Sequence, residues 1–213
     1  MPFVFGIHHY WLFIATAVVL VLTPGQDTFF ILGRSLASGR AAGIAAALGI
    51  TAGSIVHTLL AALGLSALLA ASPQAFMAVK FAGAAYLLYI GVRALLSRAS
   101  GLPGADQGAA SDGRWPAFRQ GIVTNLLNPK VALFFLALMP QFISAGSPHK
   151  VAAFLVLGIS FVTLGVIWCT VLAIGAASVR SAFLRRPSFG GVLNKVAGAM
   201  FIGLGLKLAT TRQ

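Results

Sequence analysis

Two short runs carry the chemistry this sequence can offer, Thr23-Pro24-Gly25-Gln26-Asp27 and Asn125-Leu126-Leu127-Asn128-Pro129-Lys130. In each, a proline stands close to an ionisable residue within a long apolar stretch. Proline removes a backbone donor and clashes with the preceding turn, and the neighbouring Gly25 loosens the chain further. Both stretches should therefore break or kink. In lipid, freed backbone groups are tolerated only where protein or a water-filled cavity satisfies them. A charge near the bilayer centre costs about 2.5–3.5 kcal/mol on insertion scales, so Asp27 and Lys130 should face inward and work. The chain has no Glu and three Asp, and the other two, Asp106 and Asp112, share one polar segment. Asp27 is thus the prime carrier for any proton that crosses. With an amino acid as substrate, Asp27 could hold the ammonium, and Lys130 or a half-helix N-terminus the carboxylate. A plain Asp27–Lys130 ion pair is the alternative, and a pair that opens when substrate arrives would combine these uses as a gate.

Other polar residues share this depth. Gln26, Asn125 and Asn128 could contact substrate or cap freed backbone groups. His57 could relay protons or simply donate a hydrogen bond between helices. Gly49 and Gly53 form a small-xxx-small face suited to close helix packing. Cys169, the lone cysteine, reads as a packing residue. No His, Cys and carboxylate cluster has metal-ligand spacing, so neither metal nor cofactor is expected. Paired carboxylates and an ordered nucleophile triad are also missing, which argues against an enzyme.

These residues need a lipid-embedded frame. Of 213 residues, 59% are hydrophobic and 8% charged, against about 25% charged in soluble domains. A span needs about 20 apolar residues. Six stretches qualify: Tyr10–Gly33, Ala41–Ala71, Met77–Leu96, Phe118–Ile143, Val151–Val179 and Val192–Ala209. They are too continuous for barrel strands. The first lacks a basic leader and is too long for a signal-peptide core, so it reads as a span. The net charge of +12 sits between apolar runs, which suits anionic headgroups and not nucleic acid. Ten Lys and Arg fall in the loops after the first, third and fifth spans. Only Lys80, Lys150, Lys207 and Arg212 fall on the opposite side. The positive-inside rule makes the richer side cytoplasmic and puts both termini outside.

The halves repeat. Pro24 precedes Phe29-Phe30 as Pro129 precedes Phe134-Phe135. Leu48-Gly49-Ile50-Thr51 matches Leu157-Gly158-Ile159-Ser160, and Lys80-Phe81-Ala82-Gly83-Ala84 matches Lys195-Val196-Ala197-Gly198-Ala199. The offsets are 105, 109 and 115 residues, in the same order. Three spans is an odd number, so the second half enters with opposite polarity. The expectation is an all-α integral membrane protein with six transmembrane helices in two inverted three-helix repeats. Residues 1–97 and 118–213 form the repeats, and a cytoplasmic connector, 98–117, joins them. Inverted repeats with interrupted helices at matching positions point to a midplane site and to transport by rocking of the halves.

The runs Leu22-Thr23-Pro24-Gly25-Gln26-Asp27, Asn125 to Lys130, Phe134-Phe135…Pro140-Gln141-Phe142 and Gly83-Ala84-Ala85-Tyr86-Leu87-Leu88-Tyr89-Ile90-Gly91 resemble the LysE/RhtB family of amino-acid exporters over nearly the whole chain. The family usually reads Pro-Gly-Pro before Asn or Asp, and Gln26 replaces that second proline here. The resemblance implies a bacterial inner-membrane, multi-pass exporter of amino acids that uses the proton-motive force. Its partners would be a small-molecule substrate and the bilayer, with room for a homo-oligomer. A passive channel or a membrane-embedded subunit of the same fold remains the alternative.

Overall fold

A computed structural model describes residues 4–65 and 113–178, together with single helical positions between 74 and 96 and between 199 and 206. Apart from those positions, the third and sixth expected spans lie outside the described residues, as do most of the connector with Asp106 and Asp112 and the matched pair Lys80 and Lys195. The rest is helical: α1 (Tyr10–Leu22), α2 (Gln26–Ser38), α3 (Arg40–Leu60), α4 (Arg114–Leu126), α5 (Pro129–Leu133) and α6 (Lys150–Ser178). A π turn, Ala61–Leu65, extends α3. A second, Phe134–Leu138, and a 3-10 turn, Met139–Phe142, extend α5. Among the described residues, two helices are long and apolar enough to cross a membrane, Arg40–Gly64 and Lys150–Ala176. Two further pairs qualify if each bent pair is one span: Tyr10–Leu22 with Gln26–Ser38, and Arg114–Leu126 with Pro129–Phe142, both bent by 46°.

The bends have one cause. A residue before proline is steered away from helical backbone. Thr23, before Pro24, is extended at φ −64°, ψ 122°, and Asn128, before Pro129, at φ −77°, ψ 107°. The first helix resumes at Gln26 after an extended Gly25, and the second at Pro129 itself. Asn128 caps the second restart, its Oδ1 accepting from the Lys130 backbone N–H at 3.0 Å. Proline suits the first helical position because the N–H it lacks would be orphaned there.

Packing places these breaks inside the bundle. α3 makes its most extensive contact with α4 and also lies against α6 and α2. The α3–α4 approach depends on glycine. A Cβ on Gly49 would fall 2.1 Å from the Phe118 carbonyl oxygen, and one on Gly53 would fall 2.7 Å from Asn125 Oδ1. The small-residue face read from the sequence is therefore a helix seam. An aromatic core joins α1 to the segment after Lys130 and to α6. Its Phe134 and Phe161 rings stack 4.6 Å apart, and Phe13 meets Phe134 at 5.7 Å and Phe142 at 5.3 Å. An alanine-rich core of Ala45, Ala46, Ala47, Ala117 and Ala173 joins α2, α3, α4 and α6.

Two boundaries differ from the sequence reading. The fourth helix starts at Arg114, so the connector's last residues are already helical. Arg34, counted in the loop after the first span, lies inside α2 and is wholly buried. Its guanidinium donates to Gln120 Oε1 and stands 5.7 Å over the Phe30 ring. Apolar periodicity could not show this, because the hydrogen-bond acceptor comes from a helix 86 residues away.

Candidate functional site

The site grows from the two restarts. Gln26 and Asp27 are the first two residues of α2, and Pro129 and Lys130 the first two of α5. Asp27 and Lys130 therefore hold the same helical position in their respective arms. An acid there complements the positive end of the helix, and a base there opposes it. The Lys130 ammonium turns to the opposite pole, donating to the Thr23 carbonyl at 2.8 Å and the Leu20 carbonyl at 3.1 Å. These oxygens are left over at the end of α1, so the second arm caps the first. Gly25 makes the reach possible, because a Cβ there would stand 3.2 Å from Lys130 Nζ.

Asp27 is held through Asn125. The Asn125 side-chain NH2 donates to Asp27 Oδ2 at 2.8 Å. Ser54 donates to Asn125 Oδ1 at 3.3 Å, and His57 Nε2 donates to the Asn125 carbonyl at 3.2 Å. A carbonyl only accepts, so His57 carries its proton on Nε2. The imidazole stacks on Phe135, with ring centres 5.6 Å apart. α3 thus fixes Asn125, and Asn125 fixes one oxygen of Asp27. Among the described residues the other oxygen, Oδ1, is buried without a hydrogen-bond partner, as is Asn128 Nδ2. The Asn128 side chain is turned toward the same carboxylate, and Lys130 and His57 lie within electrostatic reach of it, but among the described residues Asp27 and Lys130 form no direct ion pair.

Asp27, Asn125 and Lys130 line one cavity of about 40 Å³. At roughly 10–15 Å³ of such space per water, that is room for about three waters. Of the other residues singled out from the sequence, Pro24 and Asn128 are buried beside it, and Gly25 and Pro129 are half-buried. His57 acts through Asn125, outside the cavity lining. Gln26 is exposed and does not reach the cavity. The sequence reading missed several lining residues: Thr28, Thr51, Ser54, Phe161, Gly165 and Trp168. Cys169, read as packing, is buried and lines the cavity too. The α6 members recur at helical spacing, but nothing in an unbroken apolar run marks one face as functional.

A buried acid and a buried base are thus held at two helix breaks inside a bundle with membrane-length helices. Residues 18–212 match the family model described as LysE type translocator. The chain belongs to this LysE family, and is a multi-pass inner-membrane transporter, not an enzyme. It is 34% identical over 209 residues to an uncharacterised membrane protein of Pseudomonas aeruginosa, covering 96% of each chain. It is 35% identical over 205 residues to an uncharacterised membrane protein of Vibrio cholerae, covering 96% of this chain and 98% of the relative. It is also 29% identical over 209 residues to a leucine efflux protein of Salmonella typhimurium, covering 97% of each. No solved structure matches significantly.

Proposed function

We propose that the protein is a secondary active exporter of amino acids or related small zwitterions, coupled to protons and working by alternating access. One observation carries this reading: Asp27, at the junction of two broken helices, is buried with one oxygen fixed by Asn125 and the other, among the described residues, without a partner. Such an oxygen can take either a proton or a substrate ammonium, and exchange between the two couples their movements. Asp27, Asn125 and Lys130 form the translocation site. Pro24, Gly25, Asn128 and Pro129 shape it, and His57 sets Asn125. The relative named for leucine efflux supports the substrate class.

The cavity is too small for an amino acid, so passage requires the halves to separate. The inverted repeat supplies that motion. It is supported by the equal bends and by a reciprocal contact of matched glycines. Gly49 of the first half packs on Phe118 of the second, and a Cβ on Gly158 of the second half would fall 2.2 Å from Thr58 of the first. Six spans with both termini outside complete the proposed topology.

The test is a counterflow screen of radiolabelled amino acids with purified protein in proteoliposomes, followed by uptake under an imposed proton gradient. Accumulation above the external concentration is the expected result. Flux that only equilibrates would make the protein a passive facilitator. Absence of amino-acid flux would remove the substrate class.

A further inference from the structure

The residues ahead of α1 have no part in the account so far. They reach from the first half of the chain onto the second. The Ser144 N–H donates to the Gly6 carbonyl at 2.9 Å, and the His8 N–H donates to the Phe142 carbonyl at 3.0 Å. Between these bonds Ile7 pairs with Ile143 in an isolated antiparallel bridge. The Ser147 hydroxyl donates to the Phe5 carbonyl at 2.9 Å, and the Phe5 ring meets the His149 imidazole edge-on, with centres 6.0 Å apart. Tyr10, the first residue of α1, shares a hydrogen bond of 2.9 Å with Ser160 Oγ on α6.

The backbone shows that this segment is held and not merely resting. Phe5 and His9 lie at φ 59° and 52°. Residues with side chains keep such angles only where surrounding contacts over-determine them. Gly6 lies at φ 78°, and a Cβ there would fall 2.5 Å from Ser147 Cβ. Only glycine fits both that angle and that space.

What the segment covers gives it a use. Ile7 and Ile143 are buried in the aromatic core with Phe13, Phe134, Phe142 and Phe161. Phe161 also lines the Asp27 cavity. Segment, aromatic core and cavity are therefore contiguous. Every bond just described crosses between the halves that the exporter reading moves apart. A hydrogen bond is lost beyond about 3.5 Å, well short of the gap an amino acid needs. The halves cannot part at this end while the segment stays docked.

We propose that residues 5–10 are the latch of the outer gate. They release from Phe142 to His149 and from Ser160 when the site opens outward, and dock again to close it. This assignment rests on the exporter reading with the N-terminus outside, and adds the contacts that control opening on that side.

The bridge supplies the probe. Ile7 and Ile143 are flanked by the two backbone bonds and exchange none, which makes them a close pair with Cα atoms about 4.5 Å apart, within the span of a disulfide. The experiment uses Ile7→Cys/Ile143→Cys, oxidised and then reduced with dithiothreitol, beside the wild type. Cys169, the chain's one native cysteine, lines the cavity and reports access to it. It is labelled with a membrane-impermeant methanethiosulfonate from the outer face of spheroplasts and from the cytoplasmic face of inverted vesicles. Oxidation should lower amino-acid counterflow in proteoliposomes about tenfold, as blocking a gating step does, and reduction should restore it. Labelling of Cys169 should slow from the outer face alone. Tyr10→Phe and Ser147→Ala, each lacking one hydrogen bond of the latch, should speed outer labelling about fivefold.

Undiminished counterflow in the oxidised pair would overturn the latch. Equal slowing of labelling at both faces would show that the disulfide stiffens the whole bundle, and failure of the disulfide to form would show that the strands do not pair. Should the paired variant not fold, the single substitutions decide, and unchanged outer labelling in both would overturn the proposal. Absence of amino-acid flux in the wild type would instead strike the exporter reading, and the labelling would still decide the latch.

Discussion

The two helix breaks bend by the same 46° and are built differently. At the first, Pro24 lies ahead of the restart, Gly25 offers no capping side chain, and the carbonyls of Leu20 and Thr23 depend on Lys130. At the second, Pro129 opens the helix and Asn128 caps it from within. The first break thus depends on the second to cap its carbonyls, whereas the second caps its own restart through Asn128. An acid can rest at its own helix end, where the dipole favours it. A base at the equivalent place must look elsewhere, and the end of α1 is within reach. One acid and one base on matched positions become complementary in function because they are unequal in local electrostatics.

That dependence predicts a graded series. Lys130→Met should do the most structural damage, because two buried carbonyls lose their donor and each unmet buried group costs about 1–3 kcal/mol. A clear fall in the thermal unfolding midpoint of the detergent-purified protein is the measurement. An unchanged midpoint would mean that the first break needs no outside cap. Asn128→Ala should cost about 1 kcal/mol, the usual loss for an N-cap, and should leave amino-acid counterflow largely intact. A loss as large as that of Lys130→Met would place Asn128 in direct contact with substrate. Gln26→Ala should have the smallest effect, within about 0.5 kcal/mol as for exposed positions, with flux near wild type. Strong loss of flux would bring Gln26 into the pathway despite its exposure.

The described part of the frame was legible because apolar run length and proline placement act locally. Tyr10, Lys150 and the two breaks follow from residues adjacent in sequence. Asp27 and Lys130 stood out for a similar reason, since a charge in an apolar run is conspicuous wherever its partner lies. The partners themselves were not legible. Lys130 reaches carbonyl oxygens, which every residue has, so no side-chain pattern announces the contact. Asn125 could be read only as spare hydrogen-bonding capacity, because its role depends on Ser54 and His57 from α3. Gly165 and Trp168 belong to an uninterrupted apolar helix. Their orientation toward the cavity is a property of packing alone.

The most direct test of the account is proton-gradient-driven amino-acid transport by Asp27→Asn in proteoliposomes, with the wild type alongside. Asparagine keeps the shape and can still meet Asn125, but it cannot carry a proton. The account predicts a variant that is folded and monodisperse yet unable to accumulate substrate against its gradient. Uphill transport at the wild-type rate would contradict it and remove Asp27 from the mechanism.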